Sequence, residues 1–157
     1  MPEEQRHPTF QWNAERLWPQ FARLADAEPD ALALADCNDR LWSRAELRAQ
    51  AVDIAARLRS VGVEPGDRVL VTGHKSPATI ATALAVSSLC ATFCPVSPKL
   101  GAGDLAVLEP LLGHAAKVSG ADDALPEVTA GTGTRSRDPR DADAALIGFT
   151  SGSTGVP

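Results

Sequence analysis

The chain has 157 residues, a formal net charge of −5 and a pI near 5.1, with 44% of its residues hydrophobic and 22% charged. That balance fits a folded globular chain of about one domain and excludes collagen-like, low-complexity and intrinsically disordered classes. No chain-wide basic field exists to attract nucleic acid or an anionic membrane, and with aromatics at 4% and no Tyr a base-stacking surface has little to build on.

Met1–Arg6 is polar and no apolar h-region follows it, so no secretory address is read here. With three Cys and no such address, reduced thiols in a cytoplasmic protein are the expectation, and all three thiols are read as buried packing groups. The weakly polar stretch Thr79–Val96 carries Ser87, Ser88, Thr92 and Pro95, and its helical part is too short for a membrane span.

Asn13–Ala27 reads as a first helix, with Asn13 as cap and Leu17, Phe21 and Leu24 at helical spacing. Pro19 is tolerated only in a first turn, which sets the start of the regular helix near it. Ala31–Ala35 and Arg40–Trp42, separated by Asn38-Asp39, read as a small hairpin. Ser43 and Glu46 then form a Ser-x-x-Glu capping box. Leu47, Ala51, Ile54, Leu58 and Val61 follow on one helical face and Gly62 stands where a left-handed cap belongs. The helix is about 18 residues and about 27 Å long. Arg44, Arg48, Asp53 and Arg57 fall on its outer face and read as solvated charge.

Pro65-Gly66-Asp67 is a turn into Arg68–Thr72, whose continuous apolar run indicates a strand buried on both faces. Ser76-Pro77 opens a small-residue helix over Ala78–Leu89, with Ser as cap and Pro at the first position. Thr92–Val96 is the next strand, Leu105–Leu112 a short helix and Lys117-Val118 a strand stub. Thr129–Asp143 is rich in Gly, Thr, Arg and Asp and reads as a mobile surface loop in which Arg135, Arg137 and Arg140 face Asp138, Asp141 and Asp143. Ala144–Phe149 is apolar again, a last strand. The alternation predicts an α/β fold with a largely parallel sheet flanked by helices.

That last strand runs into Thr150-Ser151-Gly152-Ser153-Thr154-Gly155-Val156-Pro157. Glycines let backbone N–H groups approach a phosphate, hydroxyls add donors, and ligands of such sheets sit beyond the carboxyl ends of the strands. A Walker A pattern is absent, which argues against a P-loop ATPase or GTPase. The plain alternative is a flexible Ser/Gly tail. Cys90 and Cys94 do not have zinc spacing, and no metal-ligating cluster is read. His74, just past the Arg68–Thr72 strand, reads as a surface turn residue. Trp12, Trp18 and Trp42 read as packing anchors.

Phe149–Pro157 closely resembles the phosphate-loop signature of the adenylate-forming superfamily: acyl-CoA and aryl-CoA synthetases, nonribosomal-peptide adenylation domains and luciferases. Trp42–Leu47 with Leu58–Val69 resembles the family's first helix and strand, and Leu84–Pro98 its next helix–strand junction, in the family's order. The resemblance runs from about Asn13 to Pro157. It implies that residues 1–157 are an incomplete N-terminal AMP-binding domain, the first part of the large N-terminal domain of an adenylate-forming enzyme. It also implies an ATP-dependent ligase that converts a small carboxylic acid to its acyl-adenylate and passes the acyl group to a thiol. ATP, Mg2+ and coenzyme A or a carrier protein's phosphopantetheine are the implied cofactors and partners. By position, Thr150, Ser151, Gly152, Ser153, Thr154 and Gly155 are carried over as contacts to the ATP phosphates; no catalytic residue is carried over.

Two departures stand out. The family usually continues with a Lys after the position of Pro157, and it tends to have Gly at the position of Cys90. If that position requires positive φ, Cys costs on the order of 1 kcal/mol. The adenine, ribose and acyl sites of the family lie downstream, so these 157 residues alone are expected to be inactive. An acyl- or aryl-CoA synthetase is the preferred branch; the alternatives are a nonribosomal-peptide adenylation domain and a non-catalytic nucleotide- or partner-binding module.

Overall fold

Val69, Leu70 and Val71 organise the architecture. They lie in β3 (Arg68–Thr72), all three are buried, and both edges of the strand are paired. The computed structural model describes residues 16–120, 125–136, 138 and 144–149. In it, α1 (Leu17–Ala27) is followed by a hairpin of β1 (Leu32–Ala35) and β2 (Leu41–Ser43). Then come α2 (Arg44–Ser60), β3, α3 (Pro77–Ser88), β4 (Thr92–Val96), α4 (Ala102–Leu112), β5 (Ala116–Ser119) and β6 (Glu127–Ala130). The main sheet has the order β4-β3-β5-β6, parallel except for β6, and β1 and β2 form a separate antiparallel pair. This is the predicted α/β fold with a largely parallel sheet flanked by helices.

Strand periodicity divides β3 between two cores. Val69 and Val71 point to a cluster with Leu47, Ala51, Ile54 and Leu58 of α2 and Ala81, Leu84 and Ala85 of α3. Leu70 points to the other face, where Cys94 and Val96 meet Leu108 and Leu112 of α4. The helix after β3 and the helix after β4 therefore cover opposite faces. No helix among the described residues is long and apolar enough to cross a membrane.

Local signals explain most boundaries. Ser43 and Glu46 form the capping box reciprocally: the Glu46 amide donates to Ser43 Oγ at 3.2 Å and the Ser43 amide to Glu46 Oε2 at 2.8 Å. These bonds to Ser43 hold the Glu46 carboxyl below its ordinary value. Gly62, at φ +83, ends the helix as the pattern requires. Ser76 caps α3 by accepting from the Thr79 amide, with Pro77 at the first helical position. In the hairpin, Asp36 accepts from the Trp42 indole and from the amides of Asn38 and Arg40, and its carboxyl is held low by the Trp42 bond first.

Several expectations need correction. Asn13 lies outside the described residues, and α1 starts at Leu17 with Arg16 at the cap and no side-chain cap bond. A serine on another helix takes that role: the Trp18 amide donates to Ser87 Oγ of α3 at 3.0 Å. Arg44 and Arg48 are not free solvated charge, for they pair with Glu28 and Asp26 beside α1. Thr129 and Ala130, read as loop, close β6 against β5. Arg135 does not face Asp138; its guanidinium donates to Asp67 Oδ2 at 3.1 Å and to the Gly62 carbonyl at 2.8 Å. Arg137, Arg140, Asp141 and Asp143 lie outside the described residues. Cys94 is buried, whereas Cys37 and Cys90 are exposed.

Asp67 is the buried charge of the fold. Its side chain is 3% exposed and also accepts from the Glu64 amide at 2.8 Å, closing the turn into β3. Asp67→Ala should cost about 3 kcal/mol by urea titration, since it strips two donors of a buried partner. Cys90 has φ +54, the left-handed conformation that the family's glycine would take without strain. Cys90→Gly should raise unfolding free energy by about 1 kcal/mol in the same titration, and a loss of stability would contradict that account.

Candidate functional site

The three parallel strands β3, β4 and β5 end on one edge, at Thr72, Val96 and Ser119. The loop after β3 leads to α3 on one face and the loop after β4 leads to α4 on the other. Divergence of neighbouring loops opens a crevice between them, and open α/β sheets bind ligands at such a switch point.

The segment 144–149 reaches this edge from the β4 side. The Phe93 amide donates to the Ala145 carbonyl at 3.1 Å, the Ile147 amide donates to the Phe93 carbonyl at 3.0 Å, and Phe93 and Leu146 form a parallel bridge. Thr92 Oγ1 adds a bond to the Ala144 carbonyl at 3.1 Å, while Ile147 and Phe149 pack on the α4-side core. The last strand expected over Ala144–Phe149 is reduced to a single parallel bridge along β4, with Leu146 exposed. Phe149 and Val96 each lie three residues beyond the bridged pair, so the chain arrives where β4 ends.

Thr150 is the next residue. Thr150, Ser151, Gly152, Ser153, Thr154 and Gly155, the residues singled out for phosphate contact, lie outside the described residues. The structure therefore describes the platform that leads to them. At its centre, Thr72 Oγ1 and Ser119 Oγ join the ends of β3 and β5 at 3.2 Å, and the Gly120 amide donates to the Thr72 carbonyl at 3.0 Å. His74 is exposed, as read from sequence, and its carbonyl accepts from Thr79 Oγ1 at 2.6 Å.

In the loops after β3 and β4, charge is one-sided. From Thr72 to Thr79 and from Val96 to Gly101 the loops carry Lys75 and Lys99 and no Asp or Glu, although acids outnumber bases in the chain. Hydroxyls of Thr72, Ser76 and Ser97 stand in the same loops, and that of Ser119 ends β5, opposite Glu127 of β6. Such a donor set fits a polyanion, because backbone N–H groups, hydroxyls and ammonium groups all donate. Sequence reading missed the Thr72–Ser119 pair and the paired lysine-bearing loops; the signal available was a hydroxyl residue at the end of β3 and of β5. Among the described residues no three His, Cys, Asp or Glu side chains converge to hold a metal ion.

A family model described as AMP-binding enzyme matches residues 21–109. A feruloyl-CoA synthase of an Amycolatopsis species is 35% identical over 165 aligned positions, covering 89% of this chain and 31% of that protein. Phenyloxazoline synthase MbtB of Mycolicibacterium paratuberculosis is 39% identical over 84 residues, covering 54% of this chain and 7% of that protein. Among solved structures, the N-terminal subdomain of NpsA from Klebsiella oxytoca, in complex with 3-hydroxyanthranilyl-AMSN, superposes with a TM-score of 0.65. It covers 90% of this chain and 39% of that one at 23% identity, a likeness of fold. The chain thus spans less than a third of the length of the two curated relatives.

Phe149 is the last described anchor before the loop. Phe149→Ala should remove about 3 kcal/mol of local packing and raise hydrogen exchange at the Ile147 amide many-fold, while amides of β3 keep their protection.

Proposed function

Given that the chain belongs to the AMP-binding enzyme family, we propose that it forms the first part of the large domain of an ATP-dependent ligase. That ligase would activate a carboxylic acid as its acyl-adenylate and transfer the acyl group to a thiol of coenzyme A or of a carrier protein's phosphopantetheine. One observation carries this reading. The described chain reaches, at Phe149, the edge where the loops after β3 and β4 diverge, and those two loops carry Lys75 and Lys99 and no acid.

ATP with Mg2+ supplies the adenylyl group and the pyrophosphate leaving group. This chain's part is to bind and orient. The N–H groups around Gly152 and Gly155, and the hydroxyls of Thr150, Ser151, Ser153 and Thr154, donate to the outer phosphates. Donors fixed in advance stabilise charge that grows on the departing pyrophosphate. The loops after β3 and β4 contribute Lys75 and Lys99 and no acid of their own, and Ile147 and Phe149 pack on the α4-side core just before the loop. By the family resemblance, the acid and adenine contacts fall downstream of the segment that this chain matches.

The test is acid-dependent exchange of pyrophosphate into ATP by the polypeptide of the complete reading frame. Exchange is expected, and Gly152→Val with Gly155→Val should reduce it by about 100-fold or more. The 157 residues alone should show none. Absence of exchange with a broad panel of acids would overturn the ligase reading, and exchange indifferent to both glycines would overturn the loop assignment. Acyl transfer to coenzyme A or to a carrier protein then identifies the acceptor.

A further inference from the structure

His114 sits between α4 and β5, and 3% of it is exposed. Its Nδ1 is buried without a hydrogen-bond partner. An imidazole shut away in this manner is unusual, because buried polar nitrogens are nearly always paired.

The segment 131–136 crosses this point as a strap. Its two backbone bonds flank His114 on either side: the Ser136 amide donates to the Gly113 carbonyl at 2.7 Å, and the Gly131 amide to the Ala115 carbonyl at 2.8 Å. The approach is close enough that a Cβ on Gly131 would fall 2.1 Å from the His114 carbonyl oxygen. Beyond these bonds the strap is held by Arg135, which reaches Asp67 and the Gly62 carbonyl.

We propose that His114 is an acid-sensitive clasp, whose protonation releases the strap 131–136 from the junction of α4 and β5. The charged groups around it come from each packed element. Glu109 of α4 and Lys117 of β5 pair with each other at 2.7 Å. Arg68 of β3 turns to the Leu112 carbonyl at 2.9 Å, Arg135 of the strap turns to Asp67, and Glu127 of β6 lies opposite Ser119 at the far end of β5. A backbone hydrogen bond to Glu109 favours the charged ring, while Nδ1 itself has no partner.

Burial holds the His114 imidazole below its ordinary value. Glu109 opposes that shift and Lys117 reinforces it. The open state, with its imidazole in water, titrates in the ordinary range near the model value of 6.5. The closed strap is therefore fully stable above that range. It weakens as pH falls through it, because the open state takes up the proton first. A single proton can change the opening equilibrium by at most about tenfold per pH unit. The strap is the element to move, since it adds no regular strand or helix to the fold. The inference does not depend on the nucleotide reading.

Native-state hydrogen exchange of the full chain tests it, with protection factors corrected for the chemical rate at each pH. Between about pH 7 and pH 5 the Gly131 and Ser136 amides should lose about threefold or more of their protection while amides of β3 keep theirs. In His114→Asn and His114→Gln the loss should vanish. Equal loss in wild type and variants overturns the clasp, as does no loss in wild type or a loss shared by β3. Should both variants fail to fold, NMR titration of His114 in the wild type replaces them. Strap protection must fall between the ordinary imidazole range and the lower midpoint at which His114 titrates, and a loss outside that window overturns the proposal.

Discussion

A strand without a polar side chain in its middle cannot face water on either side, and β3 imposes that constraint on everything around it. Covering Val69 and Val71 requires α2 and α3, and covering Leu70 requires α4, so the helices must lie on both faces. Pairing both edges of β3 requires β4 on one side and β5 on the other. Once those demands are met, the loops after β3 and β4 have to leave in opposite directions. The crevice at the carboxyl edge follows from how three consecutive apolar residues are buried.

Much of this was legible because the signals were local. Ser43 and Glu46 stand three apart and cap without help, Ser76-Pro77 does the same, and the face from Leu47 to Leu58 repeats at helical spacing. What escaped depends on partners far along the chain. The start of α1 is set by Ser87, on another helix. Arg135 finds Asp67 across 68 positions, and no local pattern distinguishes it from an arginine in a solvated loop. Thr129 favours a strand but Ala130 does not, and the Gly- and Thr-rich run that follows masked the pairing that the edge of β5 supplies. The exposed Cys90 shows the opposite case, in which the family's glycine correctly announced a left-handed backbone.

The candidate site divides in a similar way. Its loop was legible from glycines and hydroxyls alone, while its surroundings were not. Lys75 and Lys99 mean little in sequence, twenty-four positions apart, until β3 and β4 pair in parallel and bring their ends to one edge. The cavity of about 250 Å3 between Leu17, Ala83, Phe93 and Leu146 lies beside α1 and α3 and is mostly apolar, with Arg16 and Ser87 its polar lining residues. Polyanion chemistry belongs to the strand ends, and the cavity's apolar walls belong to packing.

The borrowed cap of α1 bears on the order in which the chain acquires structure. A helix of 11 residues without a side-chain cap of its own is marginal in water. The Trp18 amide finds its acceptor only when Ser87 exists, 69 positions later. During synthesis at roughly 5–20 residues per second, α1 therefore waits several seconds for α3. By contrast, α2, with both cap residues in place from its first turn, can form at once. The first helix made is thus a late one to be secured, and the chain folds from its second helix outward in both directions.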